Sequence, residues 1–503
     1  MKRIDSRTLI ACCLAVAAAQ MCITVPSPIN GEIQAAFGAS GSQVAWVSSA
    51  FILPTAILEL NFGVVGDLFG RKKLLVVGGF VLALGELLNA TAQNITMLWI
   101  GQAVAGIGAA ALFPTSLAVI AAATPEQKDR AKAVSTWALS ISIASAVGPL
   151  SSGVLATVAD FRVAFVPPVV LGIVVGVTSW VLVTDSRAPE GRTLDWPGQI
   201  SIAIGLTALL WGVIEGGERG WGSPEIVIAL CVAAVALVFF VFAERRSASP
   251  MFHLELLRIP SFAAAAVVAL AGMFGFIGTA YVVSIRLGAV MHLSALRAGM
   301  PFVILQLIPL LLAPVLSRML TKIDARWLLT GGLIPMAVGQ FWIAALPVTT
   351  TSLLAFLGPV LLLGAGFICV VSSLTSAAVN AVPIKMTGMA SGATSLVREF
   401  GQGLGPAVIS TVAMSIASSA LVGKLSGKDA GIEAAAGPLA VVSAGSDSAR
   451  AAAQAALGHG LAVGVVICGC VSLTGALVTP LMVRNNSERR TEVGSGETAA
   501  QAV

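Results

Sequence analysis

Six polar side chains stand inside long apolar runs of this sequence, and they set the chemistry open to it: Glu59, Glu86, Arg398, Glu399, Gln20 and Gln102. A carboxyl held away from water exchanges a proton more readily than it carries a charge. Glu59 and Glu86 are therefore candidates to take up a proton at one face of a low-dielectric layer and release it at the other. Gln20 and Gln102 can hydrogen-bond a ligand or each other but cannot titrate. Neighbours on a helix point about 100° apart, so Arg398 and Glu399 are expected to reach different partners rather than each other. Other chemistries lack their residues. His253, His292 and His459 lie singly at segment ends without metal-ligand spacing. The seven cysteines fall inside apolar runs with no CxxC pair and read as buried small hydrophobes. No Gly-x4-Gly-Lys-(Ser/Thr) loop is present to cradle ATP, so neither an enzyme nor an ATP-driven pump is indicated, and no metal or cofactor is expected.

The elements that must hold these residues follow from composition. The chain has 503 residues, is 57% hydrophobic and 11% charged, and has a mean hydropathy of +0.94; a soluble domain carries roughly 25% charged residues. A bilayer core about 30 Å thick needs about 20 apolar residues per helix. Fourteen such runs are predicted, at about 8–28, 43–65, 74–93, 97–121, 133–157, 163–184, 197–215, 224–243, 261–285, 297–317, 327–346, 353–380, 391–416 and 459–483. No period-two alternation suggests a barrel, so the fold class is an all-α polytopic membrane protein. Lys2 and Arg3 with Ala-x-Ala spacings imitate a secretory signal, but with so many spans following, an uncleaved first helix is expected.

An even number of spans puts both termini on one side. With that side inside, 21 of the 29 Lys and Arg residues fall in inner segments, so both termini are expected in the cytoplasm. The net charge of +5 is spread in short clusters between apolar runs, which reports topology and gives no ground for a nucleic-acid partner. Trp46, Trp99, Trp137, Trp196 and Trp327 open spans, where an amphipathic ring favours the interface. The longest loop, about 417–458, is rich in Gly, Ala and Ser and reads as flexible with marginal helix around "SARAAAQAAL".

Internal repeats divide the chain. "LLVVGG" at 74–79 recurs as "LLTGG" at 328–332, 253 positions on by its glycines; Gly106 and Gly108 recur 258 on as Gly364 and Gly366; Pro125 before a basic loop recurs as Pro383 with Lys385; Gly148-Pro149 recurs 257 on as Gly405-Pro406. Four matches in order at nearly one offset indicate a parallel repeat of two six-helix halves, 1–184 and 261–484, with two helices inserted at 185–260 and a disordered tail at 485–503.

Six segments carry a family resemblance. "GVVGDLFGRKK" (63–73) resembles the signature loop of the major facilitator superfamily through Gly63, Asp67, Gly70, Arg71 and Lys72, with Leu68 departing from the usual base. Gly70 permits a tight turn, and Asp67 can accept charge-assisted hydrogen bonds from Arg71 or from helix N-termini. "SAVGPLSSG" resembles the antiporter motif of that superfamily's exporters through Gly148, Pro149 and Gly153. "REFGQGLGPA", with Gly401, Gly405 and Pro406, resembles the matching segment of its fourteen-span drug:proton antiporters, as do "DFRVAFVPP" and "LDWPG".

"QAVAGIGAA" resembles the fourth-span motif, but Gln102 stands where that motif has Arg, and Gln20 stands at or beside the place of a first-span Asp. The resemblance implies two six-helix bundles plus two helices in a bacterial cytoplasmic membrane. It implies a cytoplasmic gate at 63–73 and export of small lipophilic drugs or antibiotics by a monomer, driven by the proton gradient with no cofactor. A uniporter or importer of a small metabolite on the same architecture is the other reading, and a membrane-embedded enzyme or sensor finds no motif to support it.

Overall fold

The computed structural model describes residues 6–482 apart from 125, 188–193, 248–249, 251, 321–322, 324, 351 and 381–386. Among the described residues, fourteen helices are long and apolar enough to cross a membrane. With no water to serve backbone N–H and C=O groups there, an apolar chain satisfies them within each segment, as helix. The first half comprises α1 (Ser6–Thr24), α2 (Pro26–Phe37), α3 (Gly41–Phe69), α4 (Arg71–Ala90), α5 (Ile95–Ala123), α6 (Gln127–Val158) and α7 (Val166–Leu182). The inserted pair is α8 (Trp196–Arg219) and α9 (Pro224–Arg246). The second half holds α10 (Pro260–Ser284), α11 (Ala295–Leu320), α12 (Ala325–Ala345), α13 (Leu353–Asn380), α14 (Thr387–Leu421), α15 (Gly427–Ala444) and α16 (Asp447–Met482).

The two halves pack by one pattern. α4 lies on α5 and α7, and α1 on α5, α6 and α7; α12 lies on α13 and α16, and α10 on α13, α14 and α16. Small residues set the distances. A Cβ on Gly108 would sit 2.7 Å from the Gly78 carbonyl oxygen, and one on Gly332 would sit 2.7 Å from that of Gly366. A Cβ on Gly85 would sit 2.6 Å from the Gly101 oxygen, and one on Gly339 would sit 2.6 Å from that of Pro359. Gly106 backs onto the Phe51 carbonyl of α3, and Gly364 onto the Leu305 carbonyl of α11. Helices with such seams gain dispersion contacts in a medium that offers no hydrophobic drive.

This pairing corrects one register. Gly332 matches Gly78, 254 positions away, whereas Gly79 turns to Gly172 and Gly176 of α7. Pro125, Pro383 and Lys385 of the repeat, and the tail 485–503, lie outside the described residues.

Other expectations are also corrected. The first span breaks at Val25, where Pro26 withholds an N–H, and α2 carries the chain on to Phe37. The segment 417–458 is helical for most of its length: α14 runs to Leu421, α15 fills Gly427–Ala444 and α16 starts at Asp447, which places His459 inside a helix. Tertiary contacts decide this, because α15 buries Leu439, Val441 and Val442. Arg450 meanwhile donates to the Val442 and Gly445 carbonyls at the turn that follows. Cys231 and Cys470 are exposed on the bundle surface rather than buried.

Candidate functional site

Below, the near face is the end of the bundle bearing residues 63–73, and the far face is the opposite end. A small central pocket of about 50 Å³ lies between the halves. It is lined from the first half by Thr24, Asn30 and Pro149 and from the second by Tyr281, Ser284 and Pro406. The repeated prolines thus face one pocket from opposite sides, each removing a hydrogen bond from its helix. Such a space is far below the roughly 300–1,000 Å³ of a drug-sized site.

From the lining of this pocket outward the far face is shut. Asn30 Nδ2 donates to Ser284 Oγ at 3.0 Å, and Ser284 donates to the Ser27 carbonyl. Tyr281 donates to Ser410 Oγ at 3.1 Å, and Ser410 to the Gly41 carbonyl at 3.1 Å. Gln34 takes a hydrogen bond from Ser443 at 3.0 Å and donates to the Leu439 carbonyl at 3.4 Å. Gly31 backs directly onto Gly288. Of the glycines in the antiporter-like segments, Gly153 joins this closure, while Gly148, Gly401 and Gly405 pack helices within their own half. Gly148 faces Met21 and Thr24 of α1, and a Cβ on Gly153 would lie 3.1 Å from the Ala295 carbonyl of α11. In the second half, Cβ atoms on Gly401 and Gly405 would lie 2.8 Å from the Leu270 and Phe274 carbonyls of α10.

The charged candidates meet nearer the other end. Arg398 Nη2 lies 3.2 Å from Glu399 Oε1, so the two neighbours do pair, against the expectation from helix geometry. An arginine side chain is long enough to curl back over its own helix, and a low-dielectric seam rewards that contact. α14 packs on α3 and brings Arg398 and Glu399 within electrostatic reach of Glu59, so three candidates from opposite halves form one cluster. Glu86 stands apart from them. It is fully buried on α4, with Oε2 accepting from Asn89 Nδ2 at 3.3 Å and the Cys22 thiol of α1 beside its carboxyl.

Gln102 is fully buried on α5, and neither its oxygen nor its nitrogen has a hydrogen-bond partner among the described residues. It does not pair with Gln20, which is half-buried on α1. A buried amide left unpaired costs about 1–3 kcal/mol, so Gln102 is a polar group held in reserve within the first half.

At the near face, Arg71 grips Asp67 through Nε at 3.0 Å and Nη2 at 2.7 Å, an i,i+4 pair joining the end of α3 to the start of α4. Gly70 between them has φ +114°, which an L side chain rarely adopts, and a Cβ there would lie 2.9 Å from Asp185 Oδ1. Asp185 went unnoticed in the sequence. It follows α7 and accepts from the Lys72 N–H at 3.3 Å, a carboxylate set at the N-terminus of α4, where the helix dipole favours it. The Arg71 N–H donates to the Ser186 carbonyl at 3.2 Å, so the end of the first half is tied to this turn. Gly63 lies one turn deeper on α3, near Pro114 of α5.

The inserted α8 bridges both halves. Glu218 accepts from Ser40 Oγ, Ser42 N and Ser42 Oγ, each at 2.8 Å, and so caps the N-terminus of α3. Glu215 accepts from Trp46 Nε1 at 3.1 Å and from Arg219 at 2.9 Å. Gln199 donates to the Ile57 carbonyl of α3 at 2.8 Å, while Thr411 of α14 donates to the Val213 carbonyl at 2.5 Å. Glu215 and Glu218 gave no sequence signal beyond their place at the end of a span.

The chain is 29% identical over 391 residues to "Multidrug resistance protein Stp" of Mycobacterium tuberculosis, covering 78% of this chain and 72% of that protein. It is 28% identical to "Cephamycin export protein CmcT" of Amycolatopsis lactamdurans, covering 78% and 80%. It is 29% identical to "Puromycin resistance protein pur8" of Streptomyces alboniger, covering 76% of each.

Among solved structures, a bacterial homologue of the human lysosomal transporter Spinster, inward-facing and occupied, shares the fold at a TM-score of 0.64 and 15% identity, covering 96% and 97%. A peptide transporter POT in complex with sulfate matches at 0.64 and 14%, covering 95% and 96%. Fourteen apolar helices and bacterial relatives make this a multi-pass protein of the cytoplasmic membrane. The Major Facilitator Superfamily model matches residues 12–406, and the chain belongs to that superfamily of transporters.

Proposed function

We propose that the protein exports amphiphilic drugs or antibiotics by alternating access, driven by protons flowing inward, as a monomer without a cofactor. The observation that carries this reading is the cluster of Glu59 in one half with Arg398 and Glu399 in the other. Two carboxylates and one guanidinium leave an excess negative charge in a low-dielectric seam, and one proton cancels it. Proton uptake therefore alters the attraction between halves at the level where they must part or close. The named relatives are resistance and export proteins, which supports the direction and substrate class.

The Lys and Arg distribution assigns the near face and both termini to the cytoplasm. The hydrogen bonds between the halves run from the lining of the pocket toward the far face, which supports reading this state as closed to the outside. Asp67, Arg71 and Lys72 are then the parts of a cytoplasmic gate, held in an intra-half arrangement.

The test is accumulation in inside-out vesicles. Glu59→Gln or Glu399→Gln is expected to abolish drug uptake driven by a pH gradient while counterflow exchange continues. Wild-type driven uptake in the double variant would remove the cluster from the coupling role. Gln102 and Gln20, uncharged where similar antiporters carry charge, favour a second reading, a uniporter of a small metabolite. That reading is upheld if a metabolite equilibrates without a gradient while no amphiphile is concentrated by one.

A further inference from the structure

A second cavity, separate from the central pocket, opens at the far face between α3, α5, α8 and α15, with a volume of about 1220 Å³. It exists because of how α8 is anchored. Glu215 and Glu218 hold the end of α8 over the start of α3, and α8 packs on α3, α9 and α14, which leaves a gap on the side toward α5. Leu53, Pro54 and Ile57 form its apolar floor, deep along α3, and Ile100 at its edge is 53% exposed. The lower end is thus as greasy as the membrane beside it.

Three tryptophans wall the middle. Trp46 and Trp99 pair with ring centroids 6.4 Å apart, tilted by 51°. Their edges are already engaged, Trp46 Nε1 by Glu215 and Trp99 Nε1 by the Gln43 carbonyl at 3.0 Å. What the indoles have left to offer is their faces. Trp211 adds a third ring from α8, with the Arg219 guanidinium 5.5 Å from its centroid. The mouth carries Glu215, Glu218 and Glu433 against Arg219 alone, a balance of two negative charges. Arg219 is held by Glu215 and Glu225, and Glu433 makes no hydrogen bond or ion pair among the described residues.

Apolar floor, indole faces and an acidic mouth with one unpaired carboxylate match one ligand chemistry. We propose that this groove binds a monovalent organic cation with an apolar tail, such as an alkylammonium, entering from the outer part of the membrane. A cation over indole faces gains from the ring quadrupole, most of all where water is excluded. A zwitterionic phospholipid fits less well. Its phosphate would meet three carboxylates while the one guanidinium is already held by two.

The probe is tetradecyltrimethylammonium, titrated by calorimetry into phosphatidylcholine nanodiscs with empty discs as background, and without a pH gradient. Saturable binding is expected, with Trp99→Leu and Glu433→Lys each weakening it about tenfold, while tetradecyl sulfate shows none. Glu433 has no partner among the described residues, so its replacement is expected to leave the fold intact, and an unchanged melting temperature checks this for both variants. Equal binding of the sulfate, or wild-type affinity in the double variant, overturns the proposal. A phosphatidylethanolamine arm separates the lipid source. Unchanged probe affinity there supports the cation site, and loss of the probe to that lipid overturns it. Binding in a Glu59→Gln background is expected to equal wild type, so failure of proton coupling and failure of this site are distinguishable.

Discussion

Glu86 in the first half and Gln340 in the second occupy one place in the repeat, 254 positions apart, beside the matched glycines Gly85 and Gly339. Both are fully buried. Around Glu86 stand Cys22, Asn89 and a space kept open by Gly101, which backs onto the Asn89 amide. Around Gln340 stand Ser472 and Gly275, whose missing Cβ would lie 2.8 Å from Gln340 Nε2 and 2.6 Å from Ser472 Oγ. The two bundles share their seams and differ in what the buried polar side chain can do. One holds a group that can gain or lose a proton, and the other holds an amide of nearly the same shape that cannot. Architecture here is symmetric and chemistry is not, so a proton carried at this level belongs to the first half alone.

The shared seams are the most sensitive part of the comparison. Gly108→Leu drives a side chain into the backbone of Leu82 and Gly78, and Gly366→Leu into that of Gly332 and Met336. Overpacking of this kind costs about 3 kcal/mol or more, because backbone cannot yield as a flexible side chain can. Both variants are expected to lose most of their monodisperse yield in detergent, and to similar extents. A large loss for one and none for the other would break the equivalence of the halves.

The chemical difference is tested one step down. Glu86→Gln makes the first half like the second and is expected to cut proton-driven uptake roughly 5- to 150-fold, the span of an ordinary coupling free energy. Counterflow and melting temperature are expected to hold. Gln340→Leu removes two buried atoms that have no hydrogen-bond partner among the described residues, and so is expected to raise stability by about 1 kcal/mol with transport unchanged. Gln340→Glu in the Glu86→Gln background is expected not to restore driven uptake. Restoration would mean that the two sites are interchangeable.

Much of this was legible in the residues and some was not. Apolar run length announced fourteen spans, because a span is a local property. Asp67, Gly70 and Arg71 were legible for the same reason, lying within one turn of chain. The equivalence of Glu86 and Gln340 was hidden by a double glycine, which invites a one-residue slip in the register that only helix packing resolves. The Arg398–Glu399 pair was missed because the angle between adjacent residues limits where side chains start and not where a long one ends. Asp185, Glu215 and Glu218 read as boundary charges, since their partners lie on helices distant in sequence.

The halves differ once more, at the far-face connections that occupy the same place in each. The first half crosses by the short 3₁₀ turn Phe161–Phe165, while the second inserts α15 between α14 and α16. Asp429 near the start of α15 fastens that insert, accepting from Ser446 N at 3.0 Å and Ser446 Oγ at 2.6 Å. These hydrogen bonds from Ser446 hold the exposed Asp429 carboxyl below its ordinary range. A carboxyl whose folded value is depressed stabilises the fold above its unfolded value and loses that contribution as pH falls through the folded one. Acidification is therefore expected to loosen 422–446 before 159–165, read as earlier cleavage by an acid-active protease added outside. Ser446→Ala removes the side-chain donor, leaves the backbone one, and is expected to move the onset to slightly higher pH. The effect is small because the pair is bathed in solvent, yet its sign is fixed. An onset in the variant at lower pH than in the wild type would show that something other than Asp429 ties this insert down.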